Sequence, residues 1–177
     1  MGLEPNDVNP GDSVHVSSAK ALAHSSKVMT IATCSVKGPW SAPVYYIFQN
    51  HCFYFFSSET ARHIMDMCSY SRESDTPVSR TSRVKGDIAV SIFEDAPCFQ
   101  RLKGLQMSGK VEKACMTKEA AAAASDYIKK YNLPFAGKEG LVLIKKKFNA
   151  RFYRFFPEHV YYMDNTMGFG CRKKINL

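Results

Sequence analysis

The stretch VMTIATCSVKGPWSAPVYYIFQNHCFYFFSSETARH, residues 28–63, decides the fold. It reads as three antiparallel strands joined by tight turns: Val28–Val36, a turn at Lys37-Gly38-Pro39, Ser41–Phe48, a turn at Gln49-Asn50-His51, and Cys52–Ser57. Pro43 falls inside the second strand, and proline has no N–H to give a ladder, so the backbone there cannot be fully paired within a sheet. After Ser57 the apolar period changes. Ala61, Ile64, Met65 and Cys68 stand at i, i+3, i+4 and i+7, which predicts one apolar face on a short helix opening near Ser58-Glu59-Thr60.

Working outward, residues 69–87 have no apolar period and are rich in Ser, Thr and Arg, as expected of a long loop. Strand character returns at Ile88–Glu94. In Lys103–Lys113, Leu105, Met107, Gly109 and Val111 alternate with Gln106, Ser108, Lys110 and Glu112, the pattern of a strand with one wet face. Thr117 is placed to cap a helix running to Tyr131 with Ala120, Ala124, Tyr127, Ile128 and Tyr131 on its buried stripe; Pro134 and Gly137 end it. Residues 138–148 fit a short helix or a strand equally. Two further strands, Ala150–Phe156 and His159–Met163, are expected to be separated by Pro157. Upstream, Asp12 or Ser13 caps a helix through Ser26 after a flexible start, residues 1–11. Six or seven strands and about three helices, with no internal repeat, form one domain over residues 12–177. Because the helices are appended to antiparallel strands rather than alternating with parallel ones, the expected fold is mainly β, a six- to seven-stranded antiparallel barrel and not a Rossmann fold.

Composition bounds the function. The chain has 177 residues, 24 Lys+Arg against 16 Asp+Glu, a formal charge of +8, and 45% hydrophobic residues, which excludes wholesale disorder. Its six cysteines, at 34, 52, 68, 98, 115 and 171, include no C-x-x-C pair and no His at zinc-finger spacing, so no metal site is expected. Residues 1–11 lack the basic and apolar regions of a secretory signal, and no run approaches the roughly 18 apolar residues of a membrane span, so a cytoplasmic, reduced protein is expected. Lys145-Lys146-Lys147 with Arg151 and Arg154 lies beside Phe148, Phe152 and Phe155; this reads as a solvated strand edge and argues against nucleic acid as the partner.

The chemistry concentrates at Phe55-Phe56-Ser57-Ser58-Glu59-Thr60-Ala61-Arg62-His63, where a strand ends in hydroxyls and enters a helix with Arg-His in its first turn. A helix N-terminus offers free N–H groups and a positive dipole end, and hydroxyls and a guanidinium add donors that match a phosphate. The competing reading is an ordinary helix cap with a solvated Arg-His. The Trp40–Tyr46 strand and the wet face of Gln106 and Ser108 add small and polar groups beside aromatics, enough to line a flat heteroaromatic ligand with a phosphorylated tail. No Ser-His-Asp order or carboxylate pair marks a hydrolase.

These segments, with G-D-I-A-V-S-I-F and Q-M-S-G-K-V-E downstream, resemble the FMN-binding split barrel of the pyridoxamine 5′-phosphate oxidase-like superfamily over residues 14–170. The resemblance implies an FMN-binding protein whose phosphate is held at the strand–helix junction, which carries over onto Phe56, Ser57, Ser58, Arg62 and His63, with His63 standing where Lys is common. It implies a flavin and ribityl chain along Ser41, Ala42, Val44 and Tyr45, and Gln106 facing the ring. The close Asp164-Asn165-Thr166-Met167-Gly168-Phe169-Gly170 resembles that of the YhbP-like bacterial branch. Members are usually homodimers with FMN at the interface, so Asn165 or Phe169 is expected to reach the partner's flavin. Its competing reading is a structural turn that docks the C-terminus. The chain ends CRKKINL, without the Arg-Leu-x-Pro segment of the oxidase that makes pyridoxal phosphate, so that reaction is not expected. The resemblance implies a flavin-dependent oxidoreductase acting on a small molecule with no membrane partner; the alternative is a binding protein for haem, another flavin-like cofactor or a phosphorylated metabolite on the same barrel.

Overall fold

The computed structural model describes residues 10–70, 87–115, 117–133 and 149–177. In chain order the elements are α1 (Pro10–Ser25), β1 (Val28–Ser35), β2 (Gly38–Gln49), β3 (Cys52–Ser58), α2 (Arg62–Tyr70), β4 (Asp87–Phe93), β5 (Lys103–Lys113), α3 (Lys118–Lys130), β6 (Ala150–Asp164) and β7 (Arg172–Ile175). Short 3-10 turns lie at Phe99–Arg101 and Asn165–Met167. The expected loop over 69–87 and the ambiguous 138–148 segment, with its three lysines, fall almost wholly outside the described residues.

All pairings are antiparallel, in the order β3-β2-β1-β4-β5-β6-β7, and β3 also pairs with β6. That last pairing closes six strands into a barrel and leaves β7 as an added strand on β6, in agreement with the split barrel expected from sequence. Two turns show why residues 28–58 fold as they do. The β1–β2 hairpin needs only Val36 and Lys37 between Ser35 and its partner Gly38, whose φ of +85° is open to glycine. Asn50 and His51, both at positive φ, make the two-residue turn that pairs Gln49 with Cys52.

Strand alternation then sorts the side chains. Met29, Ile31, Tyr46, Phe53, Phe55, Leu105, Val111, Tyr153 and Phe155 fill the barrel. Tyr54 and Phe152 point the other way, stack at 5.5 Å, and bury Ala123, Ala124 and Tyr127 of α3. Thr117 caps α3 by accepting the N–H of Ala120. The buried positions of β5 are the alternating ones expected.

Three expectations are corrected. The helix α1 begins at Pro10, ahead of the expected cap at Asp12 or Ser13. On α2 the buried residues are His63, Ile64, Asp66 and Met67, whereas Met65 is exposed; two polar residues that find partners inside replace it on the packed face. Pro157 does not break the last long strand, because β6 runs unbroken for 15 residues and absorbs it in a bulge opposite Ser108 and Gly109. Gly109 makes this possible: a Cβ there would lie 2.0 Å from the carbonyl oxygen of Phe156.

Candidate functional site

β2 is 12 residues long, but β3 pairs with it only over Tyr46–Gln49 before continuing along β6 to Ser58. Among the described residues, the side of β2 turned away from β1 therefore has no strand partner from Gly38 to Tyr45. This is the split in the barrel, and Pro43 lies within it, as its missing N–H requires. Its two ends are marked by side chains. At one, Arg62 at the start of α2 donates through Nη2 to the carbonyls of Lys37 (3.0 Å) and Gly38 (3.3 Å) and lies over the Trp40 ring. At the other, Tyr131 packs on Tyr45, and its hydroxyl lies 2.5 Å from the Tyr46 carbonyl. Between them Ser41 and Tyr45 face outward, while Ala42 and Val44 face the barrel.

The β3–α2 junction holds a buried polar set. Ser57 Oγ and His63 Nε2 share a 2.8 Å hydrogen bond, and both residues are buried. Burial holds His63 below its ordinary imidazole value, against the weaker upward pull of Asp66, so the ring is neutral. Asp66 is itself buried; its Oδ2 accepts from Thr33 Oγ1 at 3.2 Å and lies 3.6 Å from Arg62 Nε. That nitrogen is buried without a hydrogen-bond partner. Ser58 Oγ is paired with Thr60, and Phe56 packs against Tyr127 and Phe152 under α3. The junction thus presents the opening N–H groups of α2, the Ser58 hydroxyl and an under-satisfied guanidinium.

The outer face of the sheet forms a second surface. One cross-strand row runs Pro43, Thr30, Ser91, Gln106, Tyr161, Lys174. A groove of about 560 Å³ opens on it between the end of α1 and the end of β4, floored by Val28, Thr30, Pro43 and Ser91. Gln106 lies three strands from β2, about 14 Å at ordinary strand spacing, and accepts a hydrogen bond from Arg172.

The Asp164–Gly170 segment is held from within. Asp164 accepts from Thr166 N, Thr166 Oγ1 and the Tyr162 hydroxyl; burial opposes its charge, but these bonds and Lys103 outweigh it and keep the carboxyl below its usual range. Asn165 spends both ends of its amide, donating to the Phe99 carbonyl and accepting from Gly170 N. Phe169 is 83% exposed and meets Phe99 edge-on.

Of the residues singled out from sequence, Ser41, Ala42, Val44, Tyr45, Phe56, Ser57, Ser58, Arg62 and His63 gather around the split; Gln106, Asn165 and Phe169 stand apart from it within one chain. Sequence reasoning missed Thr33, Asp66 and Tyr131, whose partners are 33 and 85 residues away. Trp40 had a signal, an aromatic next to Ser41 on the strand beside the anion site. Among the described residues no group of His, Cys, Asp and Glu could hold a metal, and no helix is long and apolar enough to cross a membrane.

Neither a protein-family model nor a curated protein matches the sequence. Solved structures do. ChuZ of Campylobacter jejuni aligns with a TM-score of 0.66 at 14% identity over 93% of this chain, which spans 60% of its length. A heme binding protein of Mycobacterium smegmatis aligns at 0.60 and 15% identity over 96% of this chain and 59% of its own. A FAD-binding protein of Mesorhizobium loti aligns at 0.54 and 18% identity, over 81% and 89%. At such identities the likeness carries the architecture alone: the chain has a split β-barrel fold like theirs.

Proposed function

We propose that the protein binds FMN along the split, its phosphate at the β3–α2 junction and its ring beside Ser41–Tyr45. The observation that carries this is the stretch of β2, unpaired among the described residues, that ends at Arg62: an open backbone edge suits a flat ring with hydrogen-bonding groups, and Arg62 Nε, though 3.6 Å from Asp66 Oδ2, has no hydrogen-bond partner, which leaves the guanidinium donor capacity for an anion. Ser57 positions His63, and Ser58 with the first N–H groups of α2 contacts the phosphate. FMN would supply the redox chemistry, and the chain binding and orientation, so the protein is read as an FMN-dependent oxidoreductase of a small molecule. Gln106, Asn165 and Phe169 belong to this site only in a homodimer, where a partner brings them to the ring. The site needs no membrane or nucleic acid, and a cytoplasmic location is consistent with its unpaired cysteines.

A second reading, haem on the same barrel, is favoured by the likeness to a heme binding protein. The absorption spectrum of the purified protein and titration with each cofactor decide between them. Flavin bands released on denaturation and saturable FMN binding support the first reading, a Soret band supports the second, and a colourless protein that neither quenches nor is stabilised by FMN overturns the first.

A further inference from the structure

The outer-face groove is not explained by a phosphate site. Its walls are Val28, Pro43 and Phe93 with the hydroxyls of Thr30 and Ser91, and Glu94 and Asp95 stand at its rim where β4 ends. Among the described side chains, every other carboxylate lies within 3.9 Å of a Lys or Arg nitrogen. In a chain with a formal charge of +8, the two acids that, among the described side chains, have no cation within that distance are adjacent and share one groove. Lys27 is the only cation among the residues that line the groove, whose summed formal charge is −1. The carbonyls of His24 and Ser26 do not recruit a ligand there, since Lys130 Nζ already meets them.

We propose that this groove binds a small organic cation, its apolar or aromatic body on Val28, Pro43 and Phe93 and its positive group at Glu94 and Asp95. The volume is within the range of small-molecule sites, and the mixture of an apolar floor with a few charged groups at one end fixes orientation as well as sign. Pro43 belongs both to the groove and to the split, so the occupant lies next to the flavin ring of the proposed function; as the second reactant of that site, it rests on that reading, whereas its binding does not.

The test uses the full chain and titrates benzyltrimethylammonium, benzyl alcohol and benzoate by calorimetry, with a parallel FMN titration. The cation is expected to bind in preference to the alcohol and the carboxylate, Glu94→Gln with Asp95→Asn is expected to weaken it roughly fivefold, and Lys27→Gln to tighten it. FMN affinity should be unchanged in the acid-to-amide variant. Cation binding that follows these charges supports the inference even if FMN does not bind, an outcome that would remove only the flavin reading. Equal binding of the three probes, no saturable binding of the cation, or indifference to the Glu94 and Asp95 substitutions overturns the inference whatever FMN does.

Discussion

The guanidinium carbon of Arg62 sits 4.4 Å from the ring centroid of Trp40, the only tryptophan in the chain. A cation over an indole face is favourable by roughly 0.5–2 kcal/mol, depending on how far the pair is desolvated. The contact gives the proposed phosphate site an intrinsic reporter. Binding of FMN should quench Trp40 emission, and Arg62→Ala should both change that emission in the free protein and weaken FMN at least tenfold, the loss of a charge-assisted bond of about 1.5–3 kcal/mol. Lys118→Ala, an exposed lysine at the start of α3, should do neither. Equal effects of the two substitutions on FMN affinity would remove Arg62 from the site.

The Ser57–His63 bond predicts acid sensitivity. Because burial lowers the folded-state value of His63 below 6.5, its neutral form contributes stability that is fully present above that unfolded value and is lost as pH falls toward the folded one. Tm should therefore drop between about pH 7 and pH 5 more steeply in the natural protein than in His63→Gln, which cannot titrate but can keep a bond to Ser57. Parallel Tm profiles for the two would show that His63 protonation does not limit stability.

Glycine 109 marks the limit of what the strand pattern could reveal. Alternation in Lys103–Lys113 and the turn residues at 37–39 and 49–51 are local signals of the strands, although the first turn falls one residue earlier, at Val36 and Lys37, with Gly38 and Pro39 already in β2. The bulge that carries Pro157 through β6 depends on Gly109 lying directly under Phe156, a contact between residues 47 apart in sequence that no local period encodes. The same holds for the candidate site. Ser57, Arg62 and Ser41–Tyr45 were legible because a strand–helix junction and a proline-bearing strand have their own composition, whereas the Asp66–Thr33 and Tyr131–Tyr46 contacts exist only once the barrel closes. The strand β7, RKKI, has one buried residue and no alternation long enough to read.

That bulge gives a stability prediction. In Gly109→Ala the new Cβ would meet backbone on three sides, with Phe156 O at 2.0 Å and the Pro157 Cα and Glu158 N each at 2.9 Å, so the strands must separate. Urea denaturation should show a loss of about 3 kcal/mol, at the upper end for overpacking. Gly104→Ala meets the Ile92 carbonyl at 3.0 Å and should cost less. A cost for Gly109→Ala no greater than for Gly104→Ala would mean that β6 can shift its bulge.

The Asp164–Gly170 segment separates a structural turn from a cofactor contact. Asn165 holds the Phe99 carbonyl and Gly170 N, so Asn165→Ala should destabilise the fold by about 1–3 kcal/mol, two hydrogen bonds' worth. Phe169, largely in solvent, has little to lose on truncation within one chain. If the segment only docks the C-terminus, Phe169→Ala leaves both stability and FMN affinity unchanged. If a homodimer brings Phe169 to the partner's flavin, the same substitution leaves monomer stability intact but weakens FMN, and the weakening should appear only at protein concentrations where sedimentation detects the dimer. An FMN affinity independent of both Phe169 and protein concentration would confine the site to the split of a single barrel.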